Sequence, residues 1–258
     1  MDRNRELDNN NEFQLEGRHA VREAFDAEKP VDRIFVQKGL NDGPISTIIR
    51  EAKKVGTLID FVPKERLDMM SDTGKHQGVI AKVSAFAYST VDDMFDLAEK
   101  KGESPFIFIL DGIEDPHNLG AIIRTANLAG AHGVIIQKRR AVGITATVVK
   151  ASAGAIHYTP VAKVTNISNT MEELKERGLW FACADMDGEI IYDQNLTGSL
   201  GIVIGKEGKG VSRLVKEHCD FVSRIPMFGD IDSLNASVAA GVMAFEVVRQ
   251  RLARKSSL

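Results

Sequence analysis

Cysteine is scarce in this chain of 258 residues: Cys183 and Cys219 are the only two, and they stand far apart. Neither the close spacing of a zinc site nor that of a redox dithiol is present, and two lone thiols in so long a chain suit a reducing cytosol. A surplus of positive charge is also lacking. The formal net charge of −3 argues against a bulk polycation that coats nucleic acid indiscriminately, although it leaves room for a local basic patch. No apolar run approaches the ~20 residues needed to span a bilayer. Met1 to Glu12 is polar and charged, so it reads as neither a signal nor a transit peptide. What the chain does have is an apolar fraction of 43%, enough for a real core and against global disorder. Its length predicts one large or two modest domains.

Residues 1–11, with Asn9, Asn10 and Asn11 and no periodicity, read as a flexible tail. Residues 12–84 read as a small α/β domain. The pattern predicts helices over 18–27, from Pro44 to Lys54 and from Pro63 toward Met70, and strands at Val31–Val36, Leu58–Val62 and Val79–Val83. His76-Gln77-Gly78 suits a plain turn, or a turn presenting polar groups to RNA. Residues 85–90 lack periodicity and read as a linker, and residues 91–258 as the second domain, opening on an amphipathic helix from Val91 to Lys100.

In that second domain, Phe106-Ile107-Phe108-Ile109-Leu110 is an unbroken apolar run closed by Asp111-Gly112, the mark of a buried parallel strand. From Asn118, a candidate N-cap, the period turns helical through Leu119, Ile122, Ile123 and Ala126, and Gly130 stops it. Arg124 falls on the side of this helix away from the apolar stripe. A strand, a polar loop and a helix displaying one Arg can frame a ligand crevice in an open α/β sheet; an ordinary surface arginine fits the spacing equally well. Further strands are expected at Val134–Ile136, followed by the basic triplet Lys138-Arg139-Arg140 (phosphate contact or solvated loop), and at Leu179–Ala184, ending in a turn at Asp185-Met186-Asp187-Gly188. Between them come a helix over 145–152, an extended stretch over 156–161 and a helix over 170–177.

Gly201-Ile202-Val203-Ile204-Gly205-Lys206-Glu207-Gly208-Lys209-Gly210-Val211-Ser212 is a strand running into a glycine-rich loop and then a helix, a setting in which backbone N–H groups can approach a ligand closely. Gly205, Gly210 and Ser212 have the spacing of a phosphate-binding P-loop, but Val211 stands where the lysine must be, which counts heavily against an NTPase. Ile225-Pro226-Met227 through Ser233-Leu234-Asn235 then links a strand at 221–225 to the final helix, with Ser233 as its expected N-cap. Along that helix Leu234, Val238, Gly241, Val242, Phe245, Val248 and Leu252 keep the period of a core stripe, while Ala236, Ala239, Ala240, Gly241 and Ala244 form a small-residue face suited to close packing or a subunit interface.

Together, and in this order, these three motifs resemble the SpoU/TrmH family of SPOUT-class RNA 2′-O-ribose methyltransferases, over about 105–252. Gly17-Arg18-His19-Ala20-Val21 through His76-Gln77-Gly78 looks like the substrate-binding domain of the bacterial 23S rRNA guanosine 2′-O-methyltransferase (RlmB-like) subgroup, a small ribosomal-protein-like fold that binds RNA. The resemblance implies an α/β catalytic domain with a parallel sheet and a C-terminal trefoil knot, an S-adenosyl-L-methionine pocket within the knot, no metal, and a cytoplasmic homodimer acting on 23S rRNA or a pre-ribosomal particle. It implies cofactor contacts from Gly205, Ile225, Met227 and Leu234, and an active-site set of Asn118, Arg124, Glu207, Ser233 and Asn235. It places Arg124 of one subunit near the other's cofactor.

The chemistry constrains those roles. A ribose 2′-hydroxyl must attack the sulfonium methyl in line, so alignment supplies much of the acceleration. Its proton must be accepted or its developing charge stabilised. With a pKa above ~12, a guanidinium is a poor base. Arg124 is therefore expected to clamp phosphate and stabilise the nascent alkoxide, with Glu207 and Asn118 orienting it by hydrogen bonds; Ser233 and Asn235 shape the pocket and position the ribose. The same chemistry on tRNA, and a noncatalytic RNA-binding role, are the competing readings. The N-terminal domain argues against the first and the intact polar set against the second.

Overall fold

The structure, a computed structural model, describes residues 12–84, 86–231 and 233–255. The tail expected at 1–11 and residue 85 of the expected linker lie outside them. The chain divides into two compact units, residues 1–87 and 88–258.

The first unit runs β1 (Glu12–Glu16), α1 (Arg18–Asp26), β2 (Val31–Gln37), α2 (Gly43–Lys54), β3 (Leu58–Val62), α3 (Lys64–Met70) and β4 (Val79–Ser84). Its sheet has the order β1-β4-β2-β3, with β4 antiparallel to both neighbours and β2 parallel to β3. β1 escapes the sequence reading because it is short and rich in polar residues; its strand character comes from pairing along β4 at the sheet edge. Asp42 caps α2 by accepting from Ile45 N–H at 3.1 Å. Val21, Ile34, Val36, Ile45, Ile48 and Val79 fill the core between helices and sheet. The His76-Gln77-Gly78 segment is a structural turn. His76 is buried, its Nδ1 accepts from Gly78 N–H at 3.0 Å, and its Nε2 faces Asp68 Oδ1 at 2.8 Å.

The second unit runs α4 (Val91–Lys101), β5 (Phe106–Asp111), α5 (Pro116–Leu128), β6 (Gly133–Gln137), α6 (Ala146–Ala151), β7 (Val161–Val164), α7 (Ile167–Glu176), β8 (Trp180–Ile190), β9 (Leu200–Gly205), α8 (Arg213–Glu217), β10 (Phe221–Arg224) and α9 (Ala236–Lys255). Its six strands are all parallel, in the order β10-β8-β9-β5-β6-β7. The fold is α/β with a parallel sheet, consistent with the trefoil knot that the resemblance implies. β5 lies between β9 and β6, which pair both its edges, and every residue from Phe106 to Asp111 is buried, as in a central strand whose two faces are covered by crossover helices. Each of its large side chains contributes roughly 1.5–3 kcal/mol by leaving water. Tyr88 and Ser89, within the segment expected as linker, belong to this unit: Ile144 N–H donates to Tyr88 Oη at 2.9 Å, and Ser89 N–H to Val161 O at 2.9 Å.

Four sequence expectations are corrected. Asp115, not Asn118, caps α5, accepting from His117 and Asn118 N–H, with Pro116 at the first helical position. The stretch expected to be extended over 156–161 begins in a 3₁₀ turn at 155–157, and strand pairing starts only where Val161 reaches register with Val134 of β6. β8 does not end in a turn at 185–188 but continues to Ile190 through a break in its pairing with β10. In α9 the faces are reversed. Ala236, Ala240 and Ala244 are buried within the subunit, whereas Val238, Phe245 and Leu252 are 50–60% exposed.

Candidate active site

Carboxyl ends of parallel strands and the loops beyond them build the site, as in other open α/β sheets. Asp111, at the end of β5, is buried and joins two neighbours: Oδ1 accepts from Gln137 Nε2 at 3.2 Å and Oδ2 from Ser212 N–H at 2.7 Å. The second bond fixes where the glycine-rich loop hands over to α8. Within that loop Lys206 N–H donates to Gly210 O at 3.1 Å, and Gly210 N–H returns to Lys206 O at 2.8 Å. Two of the amides a phosphate cradle would need are thus consumed by the loop itself, and Val211 is buried in the core. The P-loop alternative fails on geometry as well as on the missing lysine. A Cβ on Gly205 would sit 2.1 Å from Gly210 C, so no side chain fits there.

The polar centre is a three-residue network. Asn118 lies in the first turn of α5, nearly buried, and its Nδ2 donates to Glu207 Oε1 at 3.0 Å. Asn235 Nδ2 donates to Asn118 Oδ1 at 3.0 Å and to the same Glu207 oxygen at 2.5 Å. Asn235 Oδ1 meanwhile accepts from Ser237 N–H at 2.9 Å and Val238 N–H at 3.3 Å, so Asn235, not Ser233, caps α9. Because Oδ1 serves the helix, only the amide nitrogen can face Glu207, which fixes the orientation of both amides. Ala236 N–H also points at Glu207 Oε1, at 3.4 Å, and the carboxylate rests over the positive end of a 20-residue helix.

Beside this network opens a cavity of about 560 Å³ with three walls: residues 184–187 of β8, residues 204–210 of β9 and its loop, and residues 223–227 with Ser233, Leu234 and the start of α9. Six predicted residues line it: Gly205, Glu207, Ile225, Met227, Ser233 and Leu234. Asn118 and Asn235 adjoin it through Glu207. Arg124 does not line it. It is exposed on α5 and makes no hydrogen bond or ion pair among the described residues, so Glu207 and Asn118 do not orient it within one chain. The sequence reading missed the 184–187 wall and the charged Lys206, Lys209 and Arg224. The signal for the 184–187 wall was the pair Asp185 and Asp187 within β8, masked by turn-like composition.

Burial pushes the Asp185 carboxyl up, but the hydrogen bond from Lys216, the Asp187 N–H and the Lys216 charge outweigh it and hold the group below its ordinary value. Carboxylates (Asp185, Asp187, Glu207) and cations (Lys206, Lys209, Arg224) thus share one cavity with the apolar Ile204, Ile225 and Leu234. That lining fits a zwitterion joined to a flat heterocycle, and the volume is in the range of small-ligand sites. Among the described residues, no group of three His, Cys, Asp or Glu could hold a metal ion, and no helix is long and apolar enough to cross a membrane.

A parallel α/β sheet with a cavity of mixed charge and apolar lining at its strand ends, preceded by a separate small α/β unit, is the arrangement of a two-part ligand-binding α/β protein. Residues 105–245 match the model of the SpoU rRNA Methylase family, and residues 14–89 match the RNA 2′-O ribose methyltransferase substrate-binding model. YacO of Bacillus subtilis, named as a TrmH family tRNA/rRNA methyltransferase, is 49% identical over 91% of this chain and 94% of its own. Among solved structures, the SpoU methyltransferase AviRb of Streptomyces viridochromogenes in complex with AdoMet covers 94% of this chain and 92% of its own, at 26% identity and a TM-score of 0.60. A TrmH/SpoU tRNA modifying enzyme of A. aeolicus, at 26% identity and a TM-score of 0.54, covers 59% of this chain and 78% of its own. The chain belongs to the SpoU/TrmH family of tRNA/rRNA methyltransferases. It is an RNA 2′-O-ribose methyltransferase whose methyl donor is S-adenosylmethionine.

Proposed function

We propose that this enzyme methylates the 2′-hydroxyl of a guanosine in the peptidyl-transferase region of 23S rRNA, in the cytoplasm, as a homodimer. The observation that carries the rRNA assignment is the first unit. The substrate-binding match spans residues 14–89, whereas the tRNA modifying enzyme of A. aeolicus covers only 59% of the chain, a share the second unit alone can supply. Methylation of tRNA is the second reading.

In this reading Gly205, Ile225, Met227 and Leu234 hold the cofactor, which supplies an electrophilic methyl group on its sulfonium. Gly205 lets the Gly210–Val211 backbone fold tightly against the end of β9, where no side chain fits, and so shapes the loop that lines the cavity; Ile225 and Leu234 offer apolar surface to the heterocycle. Glu207 gathers Asn118 and Asn235 into one rigid polar wall. That wall and Ser233 set the ribose in line with the methyl group. Arg124, exposed and without a hydrogen-bond or ion-pair partner among the described residues, reaches the cavity of a second subunit, where it clamps phosphate and stabilises the alkoxide. The exposed stripe Val238, Phe245 and Leu252 on α9 supplies the apolar surface such a dimer must cover.

The test is transfer of labelled methyl from S-adenosylmethionine to unmodified 23S rRNA, to a pre-ribosomal particle and to a tRNA pool. Label in 23S rRNA, free or in the particle, supports the assignment; label in tRNA alone overturns it.

A further inference from the structure

One wall of the cavity is held in an unusual way. Pairing of β8 with β10 runs Phe221↔Ala182 and Val222↔Cys183, then resumes at Ser223↔Glu189 and Arg224↔Ile190. Consecutive residues on β10 thus face residues six apart on β8, and 184–188 are thrown out of the sheet as a bulge that lines the cavity. Gly188 closes the bulge against β10, where a Cβ would lie 2.3 Å from Val222 O. A bulge that has left its ladder must be held by other bonds.

Those bonds converge on Asp185. Its Oδ1 accepts from Asp187 N–H at 3.1 Å, and its Oδ2 meets Lys216 Nζ at 2.9 Å, with Asp187 Oδ2 at 3.9 Å from the same ammonium. The Asp185–Lys216 pair is largely shielded, with side chains 19% and 30% exposed. Lys216 rides on α8, whose entry is fixed by the Ser212–Asp111 bond and whose Val215 is packed in the core with Cys183. Lys216 does not line the cavity. It connects the wall after β9 to the wall after β8.

We propose that Lys216 is a positioning residue for S-adenosylmethionine: its ion pair with Asp185 latches the 184–188 bulge in the shape that completes the cofactor cavity. The inference rests on the reading of this cavity as the cofactor site. Without the latch the bulge samples other conformations, and apparent affinity falls in proportion to the competent fraction. A latch acts on shape, so S-adenosylmethionine and S-adenosylhomocysteine, which lacks the sulfonium charge, should weaken alike.

Calorimetric titration of the full chain with each ligand tests this. Lys216→Met should raise both Kd values about fivefold, the size expected of a partly shielded pair. It should raise KM for the cofactor with kcat held, and Lys216→Arg should restore binding. Asp185→Asn should add little in the Lys216→Met background, since both break one contact. Unchanged affinity in Lys216→Met, additive effects in the double variant, or weakening of S-adenosylmethionine alone would each overturn the latch. Gly205→Ala separates the two ideas. If it leaves cofactor binding intact, the site reading itself fails; if it abolishes binding while Lys216→Met changes nothing, only the latch fails.

Discussion

Replacing Glu207 by Gln tests the polar network at its hub. The substitution keeps shape and leaves one oxygen to accept, but removes the charge that draws three N–H groups onto a single atom, from Asn118, Asn235 and Ala236. A charge-assisted bond exceeds a neutral one by about 1 kcal/mol. Glu207 is itself exposed, and solvent screening reduces the sum over the two amide bonds to about 1.4 kcal/mol. If that energy holds Asn118 and Asn235 in the geometry of reaction, kcat falls about tenfold. Glu207→Ala goes further, because it strands the nearly buried Asn118 amide without an acceptor and costs a further ~1–3 kcal/mol, for a loss of roughly 60-fold or more. The assay is single-turnover methyl transfer at saturating cofactor, with cofactor Kd measured alongside. A Glu207→Gln rate within twofold of wild type, or a loss residing wholly in Kd, would refute the reasoning.

Arg124→Ala should lower kcat by about 100-fold or more yet leave cofactor Kd within about twofold, since its proposed contacts in the second subunit's cavity are to the RNA phosphate and the nascent alkoxide, not to the cofactor. Gly205→Ala should weaken cofactor binding by about tenfold or more in a calorimetric titration, because its Cβ would meet Gly210 and Val211 backbone near 2 Å. If the enzyme is the proposed homodimer, it should run as a dimer in light scattering, and Phe245→Glu should shift it to monomer and abolish transfer; a wild-type monomer, or an active monomeric variant, would refute the shared-site reading. Burial pushes the Glu16 carboxyl up, but hydrogen bonds from Ser71, Thr73, Asp72 N–H and Gln14 outweigh it and bring it to about 2. A depressed carboxyl stabilises the fold above its unfolded value near ~4.3, and that contribution is lost as pH falls toward 2. Glu16→Gln should therefore cost about 1 kcal/mol at neutral pH, discounted for exposure, and flatten the fall of melting temperature between about pH 4 and 2.

Strong local signals carried most of the fold. Phe106–Leu110 is apolar on both faces because it becomes the buried β5, and the glycine loop follows β9 where the pattern placed it. Misreadings cluster where long-range contacts override local chemistry. Asn118 has the chemistry of a cap, but Asp115 precedes Pro116 and takes that role, which frees the Asn118 amide for a residue 89 positions away. Ser233 yields to Asn235 for a similar reason, since one amide can cap α9 and meet Glu207 at once. No single-residue pattern encodes the 184–188 bulge, which exists only through its register against β10 and its ion pair to α8. The stripe Val238, Phe245 and Leu252 was legible as apolar; which way it faces depends on how closely Ala240 and Ala244 let α9 pack inward.

The most direct measurement is mapping the methylated nucleotide in unmodified 23S rRNA, with Arg124→Ala as control. A 2′-O-methyl ribose cannot supply the hydroxyl that alkaline cleavage needs. The account predicts one guanosine in the peptidyl-transferase region that becomes resistant to alkali with the wild-type enzyme and stays sensitive with the variant. Labelled RNA that remains fully alkali-sensitive, or resistance undiminished by Arg124→Ala, would contradict it.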